Sequence, residues 1–254
     1  MKRLLLLFWL VFIPFVGNEQ PNKMVHFPSA WYWSGCPESY PGECFPDEPL
    51  MMRYVDGFWL DRYETTNAEY VQCMEAQVCT EPHGGDAKNL EHANRPVHYL
   101  DWYQADAYCE WRGKRLPTAW EWERAARGTE DDRPWPWGEE VVDCRYANIF
   151  IGDSSGKGPW YYCNPGPDGR GETVDVGSYK PWNGLYDTIG NVAEWTSSTQ
   201  ESYYGNQDSC TLAMGGAYPI YQLHNNVFTH LLCYDPALPD KSDARFFGVR
   251  CAKD

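Results

Sequence analysis

Ten cysteines, from Cys36 to Cys251, follow an apolar leader, and no two form a C-x-x-C pair. An even cysteine count after such a leader points to disulfides in an oxidising compartment, and the missing C-x-x-C spacing argues against zinc clusters and thioredoxin-like redox sites. The remaining composition fits a cross-linked, loop-built chain. Thirteen Trp, 18 Tyr, 22 Gly and 19 Pro in 254 residues describe large rings joined by many turns, rather than a leucine-rich helical bundle. A hydrophobic fraction of 43% excludes a disordered chain. The net charge of −15 opposes a nucleic-acid backbone and favours cations as guests.

Lys2 and Arg3 precede the apolar run Leu4 to Val16, and polar Asn18, Glu19 and Gln20 follow. The run is shorter than the ~20 residues that span a bilayer, so residues 1–17 read as a secretory signal, with export to the periplasm or outside the cell. No stable membrane insertion is expected after its cleavage. Phe15 and Gly17 make a poor small-x-small cleavage pair, and an uncleaved leader would tether the protein.

Residues 18–49 form a Pro, Gly and aromatic lead-in holding Cys36 and Cys44, and residues 50–254 form the domain. Asp56 to Tyr63 reads as a turn followed by a strand. Three helix starts are marked by capping boxes: Thr66 with Glu69, Asp101 with Gln104, and Thr118 with Glu121. Arg112-Gly113 and Arg127-Gly128 supply stops for the second and third. Tyr70, Met74 and Val78 are spaced to share one apolar face of the first helix. From Arg133 to about Gly184 helical periodicity is absent, and a loop region of that length is functional, disordered or pinned, with disulfides, metals or both as the candidate pins. Arg245 to Ala252 reads as a terminal strand.

An ordered series of motifs runs through this framework. It comprises Phe58 to Asn67, Ala107 to Thr118, Trp120-Glu121-Trp122-Glu123, Ala125-Ala126-Arg127-Gly128 and Pro136-Trp137-Gly138, then Ala147-Asn148-Ile149 and Gly184-Leu185-Tyr186-Asp187. Gly190 to Thr196, Gly215-Gly216 and Gly248 to Ala252 complete it. Each piece is common, but the order is specific, and the set resembles the formylglycine-generating enzyme, or sulfatase-modifying factor, family from about Met52 to Ala252. The resemblance implies a single disulfide-rich α+β domain of C-type-lectin-like fold with little regular secondary structure.

Active members of that family convert a sulfatase cysteine to formylglycine with oxygen, copper and two of their own cysteines. Cu(I) selects soft thiolates, so the chemistry depends on that pair. By the resemblance the two positions fall on Ile220 and Asn225, and the serine position directly after Gly215-Gly216 falls on Ala217. Neither Ile nor Asn supplies a thiolate, so copper is not expected. Cys210 and Cys233 flank the segment and are better explained as a disulfide than as a displaced copper site, because exported thiols oxidise. His224 and His230 lack a convergent carboxylate and read as surface or packed residues.

Calcium is the expected cofactor, since it takes carboxylate, amide and carbonyl oxygens from loops. The resemblance implies one set of Asn148, the Ile149 carbonyl, Asp168 and the Arg170 carbonyl. It implies a second of Asp187, the Gly190 and Val192 carbonyls, and Glu194. The alternative reading has Asn148 and Asp168 capping turns and Glu194 as a solvated carboxylate.

Ten cysteines do not determine their own connectivity. The resemblance implies Cys109 with Cys251; Cys36 with Cys44 and Cys73 with Cys79 are close in sequence, and Cys144 with Cys163 and Cys210 with Cys233 remain. Trp120-Glu121-Trp122 and Trp135-Pro136-Trp137 read as core, with carbohydrate stacking as the alternative.

The resulting expectation is an exported, noncatalytic domain that binds a peptide, glycan or protein through a groove at Tyr218, Ile220, Tyr221, His224 and Asn225. An active copper- and oxygen-dependent oxidase with a displaced metal centre is the alternative, and another enzyme on the same scaffold is a third reading.

Overall fold

The computed structural model describes residues 23–42, 44, 48–152, 160–201, 209–220, 226–228, 231–234 and 244–254. Among the described residues a three-stranded sheet, a four-stranded sheet, two two-stranded pairs and three short α-helices surround aromatic clusters. In the first sheet β1 (Met24–Phe27), β4 (Phe58–Asp61) and β11 (Ala252–Lys253) lie in the order β1-β4-β11, so β4 is flanked by a strand of the lead-in on one side and by the end of the chain on the other. The second sheet has the order β10-β7-β8-β9, from β7 (Ala193–Glu201), β8 (Ser209–Met214), β9 (Leu231–Tyr234) and β10 (Phe247–Gly248). A separate ribbon pairs β2 (Ala30–Ser34) with β3 (Met51–Val55), and a short hairpin pairs β5 (Phe150–Ile151) with β6 (Tyr161–Tyr162).

The helices start where the capping pattern predicts. Thr66, Asp101 and Thr118 are the N-caps of α1 (Asn67–Glu75), α2 (Trp102–Trp111) and α3 (Ala119–Arg127), each with the reciprocal box formed. The box satisfies amide donors that a helix start cannot pair internally. Gly113 at φ 67° and Gly128 at φ 93° follow α2 and α3, where the chain enters a conformation that disfavours side chains.

Two expectations are corrected. α1 ends at Glu75, because Gln77 takes φ 60° and the amides of Val78 and Cys79 return to the Cys73 carbonyl. Val78 therefore leaves the helical face and is half exposed, while Asn67, Tyr70 and Cys73 form the buried side. The terminal strand is also divided. β10 runs parallel to β7, the chain then crosses at Val249 to Cys251, and β11 pairs with β4 in the other sheet. Fully buried Arg250 sits at the crossing and bonds residues of both regions, which a continuous strand in one sheet would not allow.

Four disulfides form as expected: Cys36 with Cys44, Cys73 with Cys79, Cys109 with Cys251 and Cys144 with Cys163. Cys109–Cys251 joins α2 to the last crossing, and Cys144–Cys163 pins the irregular region before and after β5. Cys210 lies on β8 and Cys233 on the neighbouring β9, but their side chains lie outside the described residues. Rings supply the core: Trp122, Trp135, Trp195, Tyr32, Tyr70, Phe58, Phe228 and Phe247 are fully buried. Trp122 and Trp135 thus take the core role expected of their strings. Trp137 stacks on Tyr146 at 4.5 Å between ring centres, and Trp120 remains partly exposed beneath the Arg53 guanidinium.

Candidate functional site

A buried polar hub links the end of β4, the turn before β7, β7 itself and the final crossing. Glu194, near the start of β7, holds the Arg250 guanidinium at 2.7 Å. Its Oε2 also accepts the Trp122 indole N–H at 2.6 Å. Arg250 donates further to the Asp61 and Tyr186 carbonyls at 3.0 and 2.8 Å. Burial opposes the Arg250 charge, but Glu194 more than compensates and holds the guanidinium charged.

Glu64 lies on the other side of this pair and is almost fully buried. It accepts the Asn191 side-chain N–H at 2.8 Å and the Val192 amide at 3.3 Å. Burial first, then the Asp187 and Glu194 charges, push its carboxyl well above the ordinary range. Asp187 stands in the turn at φ 54°. Its Oδ2 accepts the Gly177 amide at 2.5 Å, and burial pushes its carboxyl up to about 6. Three carboxylates therefore share one guanidinium in a low-dielectric region, a charge imbalance that protons or a cation would relieve.

The calcium expectation meets this geometry unevenly. Asp187 Oδ1 and Asn148 Oδ1 are buried without a hydrogen-bond donor, and oxygens of that kind suit a hard cation. Asn148 and Gly190 form a parallel bridge, so the two candidate sets adjoin. The approach is close enough that a Cβ on Gly190 would meet the Asn148 carbonyl oxygen at 2.4 Å. Ile149 and Val192 are buried beside them. Glu194, by contrast, is engaged by Arg250 and Trp122. Asp168 is exposed and accepts the Arg170 amide at 2.9 Å, while Asn148 donates instead to the Glu172 carbonyl at 2.8 Å. Among the described residues no three His, Cys, Asp or Glu side chains form a metal-binding group. Asp187 and Asn148 thus each keep one buried oxygen without a hydrogen-bond donor, whereas Glu194 is not a free ligand.

The hub also carries the segment where the resemblance implies thiolates. The Gly190 amide donates to the Gly215 carbonyl and the Tyr218 amide to the Asn191 carbonyl, at 2.9 and 3.1 Å. Ala217 is buried, and Ile220 closes a turn onto its carbonyl while packing against the largest core cluster. Tyr218 is half-buried with its ring edge toward Phe246, and burial pushes its hydroxyl up to about 12. Tyr221, His224 and Asn225 lie outside the described residues, as does His230. Among the described residues no cysteine is free.

Sequence reasoning missed the parts played by Glu64 and Arg250. Both stand inside the matched motifs, but their partners lie far away in sequence. Arg250 carried a signal, as a basic residue between apolar Val249 and Cys251, whereas Glu64 sits in the polar string Asp61-Arg62-Tyr63-Glu64-Thr65-Thr66, where nothing singles it out.

Comparison with known proteins follows this geometry. The sulfatase-modifying factor enzyme 1-like domain matches residues 19–254. The chain belongs to that family. The formylglycine-generating enzyme of Mus musculus is 29% identical over 92% of this chain and 75% of its own length. The inactive C-alpha-formylglycine-generating enzyme 2 of Mus musculus is 30% identical over 77% of this chain and 76% of its own length. Among solved structures, PvdO from Pseudomonas aeruginosa superposes with a TM-score of 0.68 at 23% identity, covering 91% of this chain and 94% of that one. That likeness concerns the fold. As a sulfatase-modifying-factor domain, the chain has the α+β, disulfide-rich architecture expected of the family, and its hub supports the segment from Gly215 to Ile220.

Proposed function

We propose that this protein is an exported, noncatalytic sulfatase-modifying-factor domain that uses a calcium-supported loop scaffold to bind a peptide, glycan or protein ligand near Tyr218 and Ile220. The observation that carries the reading is the side chain at position 220: a packed isoleucine stands where the oxidase needs a thiolate. Isoleucine has no lone pair for Cu(I), and a single remaining position would not make the two-sulfur centre. Eight cysteines committed to disulfides support the same reading and support export. The similarity to a relative described as inactive supports the same reading. Among the described residues no helix is long and apolar enough to cross a membrane.

Calcium, in this reading, is held by Asp187 with the Gly190 and Val192 carbonyls and by Asn148 with the Ile149 carbonyl. It would neutralise the excess negative charge of the hub and fix the Asn191 to Tyr218 connection. The protein's own residues position the loops, and no redox step is assigned to them.

The test is turnover. Purified protein with Cu(I), oxygen and a Cys-x-Pro-x-Arg peptide is expected to yield no formylglycine by mass spectrometry above a metal-free control. Sustained turnover would establish a displaced oxidase centre instead. For calcium, chelation should lower the melting temperature of the protein but leave an Asp187→Asn variant unshifted. An unchanged melting curve in chelator would remove calcium from the account.

A further inference from the structure

The ribbon formed by β2 and β3 presents an unusual outer face. Side chains alternate across a strand, and the register pairs Trp31 with Tyr54 and Trp33 with Met52. These four share the outward side. They are 59%, 48%, 40% and 42% exposed for Trp31, Tyr54, Trp33 and Met52 respectively. The inward side is settled: Glu123 accepts the Tyr32 hydroxyl, the Ser34 hydroxyl and the Gly35 amide at 2.9, 2.7 and 2.8 Å. Arg127 donates to the Trp33 and Gly35 carbonyls, both at 2.6 Å. α3 therefore grips the ribbon from behind, and the Cys36–Cys44 disulfide closes its exit. A solvent-facing ribbon carrying two indoles, a phenol and a thioether exceeds what solubility requires.

The geometry points to a binding platform for a neutral oligosaccharide on this face. None of the four side chains is charged, so the platform offers no counter-ion for an acidic or basic ligand. Trp31 and Tyr54 lie 5.5 Å apart with a tilt of 58°, and Trp33 follows Trp31 along the strand by roughly 7 Å. Such rings can cover the C–H faces of successive sugar units. The Trp31 and Trp33 indole N–H groups and the Tyr54 hydroxyl take up no hydrogen bond among the described residues. A purely apolar partner would bury those donors unpaired, at a cost, whereas sugar hydroxyls accept from them. An anionic membrane is disfavoured because the chain carries −15 and this face adds no Lys or Arg. The α3 clamp holds the strands before binding, which lowers the ordering cost. This platform shares no residue with the groove at Tyr218 and Ile220 and does not depend on the oxidase question.

Native gels cast with hydroxyethylcellulose, galactomannan or a soluble β-1,3-glucan test the assignment. The full chain should be retarded by at least one of them, and Trp31→Ala and Trp33→Ala should each weaken retention at least tenfold. Trp31→Phe, which keeps a ring, should retain most of it, and Leu90→Ala, at an exposed apolar site elsewhere, should be neutral. Near-ultraviolet circular dichroism and melting curves establish that each variant is folded. Three results would overturn the proposal: no retardation by any of the polymers, retardation indifferent to both tryptophans, or occupation of the face by something else. The last would register as a dimer dissociated by Trp31→Ala in sedimentation, or as Trp31-dependent binding to phosphatidylcholine vesicles.

Discussion

Glu194 and Arg250 illustrate how single residues decide the character of this protein. Both are buried to within about one per cent, and together they replace the hydration that each charge loses with directed hydrogen bonds. Breaking one side of such a pair leaves an unpaired buried charge, which costs about 3–5 kcal/mol. Glu194→Gln is accordingly expected to lose stability of that order in urea denaturation, whereas the double change Glu194→Leu with Arg250→Met should lose distinctly less. Equal losses for the single and double variants would show that the pair is not the source. The partners are 56 positions apart, so neither residue's local sequence announces the other. The candidate ligands had a similar limit: Asp187 and Asn148 were legible as hard oxygens from the family motifs, but the engagement of Glu194 was visible only once the chain crossed between sheets.

At the scale of elements, local chemistry explains what was legible. A capping box needs only four consecutive residues, so the starts of α1, α2 and α3 could be read without tertiary information. Thr118→Ala should cost about 1 kcal/mol by chemical denaturation, because Thr118 Oγ1 accepts the Glu121 amide at 3.1 Å and the Glu121 carboxylate returns to the Thr118 amide at 2.7 Å. A cost near zero would mean that packing alone sets the start of α3. The end of α1 was not legible, because a disulfide turn overrides the i, i+4, i+8 pattern that placed Val78 on its face. The outward ribbon was also hidden. Trp31-Tyr32-Trp33 alternates with a period of two, but Pro and Gly on both sides made the lead-in read as irregular chain, and only the pairing with β3 gives the alternation two faces.

Across the whole molecule, the lead-in strand β1, β4 and the chain end are one structural unit. Lys23 meets Glu69 on α1 at 2.5 Å, and the same carboxylate accepts the Thr66 amide at 3.1 Å. Burial raises the Glu69 carboxyl, but Lys23 and the Thr66 bonds outweigh it and hold the group below its ordinary 4.5. A depressed acid stabilises the fold above its unfolded pKa and loses that contribution as pH falls through the folded value. The stability difference between wild type and Lys23→Met, about 0.5 kcal/mol for a half-exposed pair, should therefore persist at pH 7 and fade as the pH falls from the ordinary carboxylate range through the depressed folded value. A difference independent of pH would contradict the pairing. At this scale the aromatic, disulfide-held architecture was legible from composition and motif order, and the division of the chain end between two sheets was not.

The central claim is that this scaffold lacks the two-thiolate copper centre. The most direct measurement is Cu(I) affinity by competition with a chromophoric chelator, on the wild-type protein and on the double variant Ile220→Cys with Asn225→Cys. The wild type is expected to bind copper only weakly, and the variant to gain at least a hundredfold in affinity. Wild-type affinity equal to that of the variant would contradict the central claim.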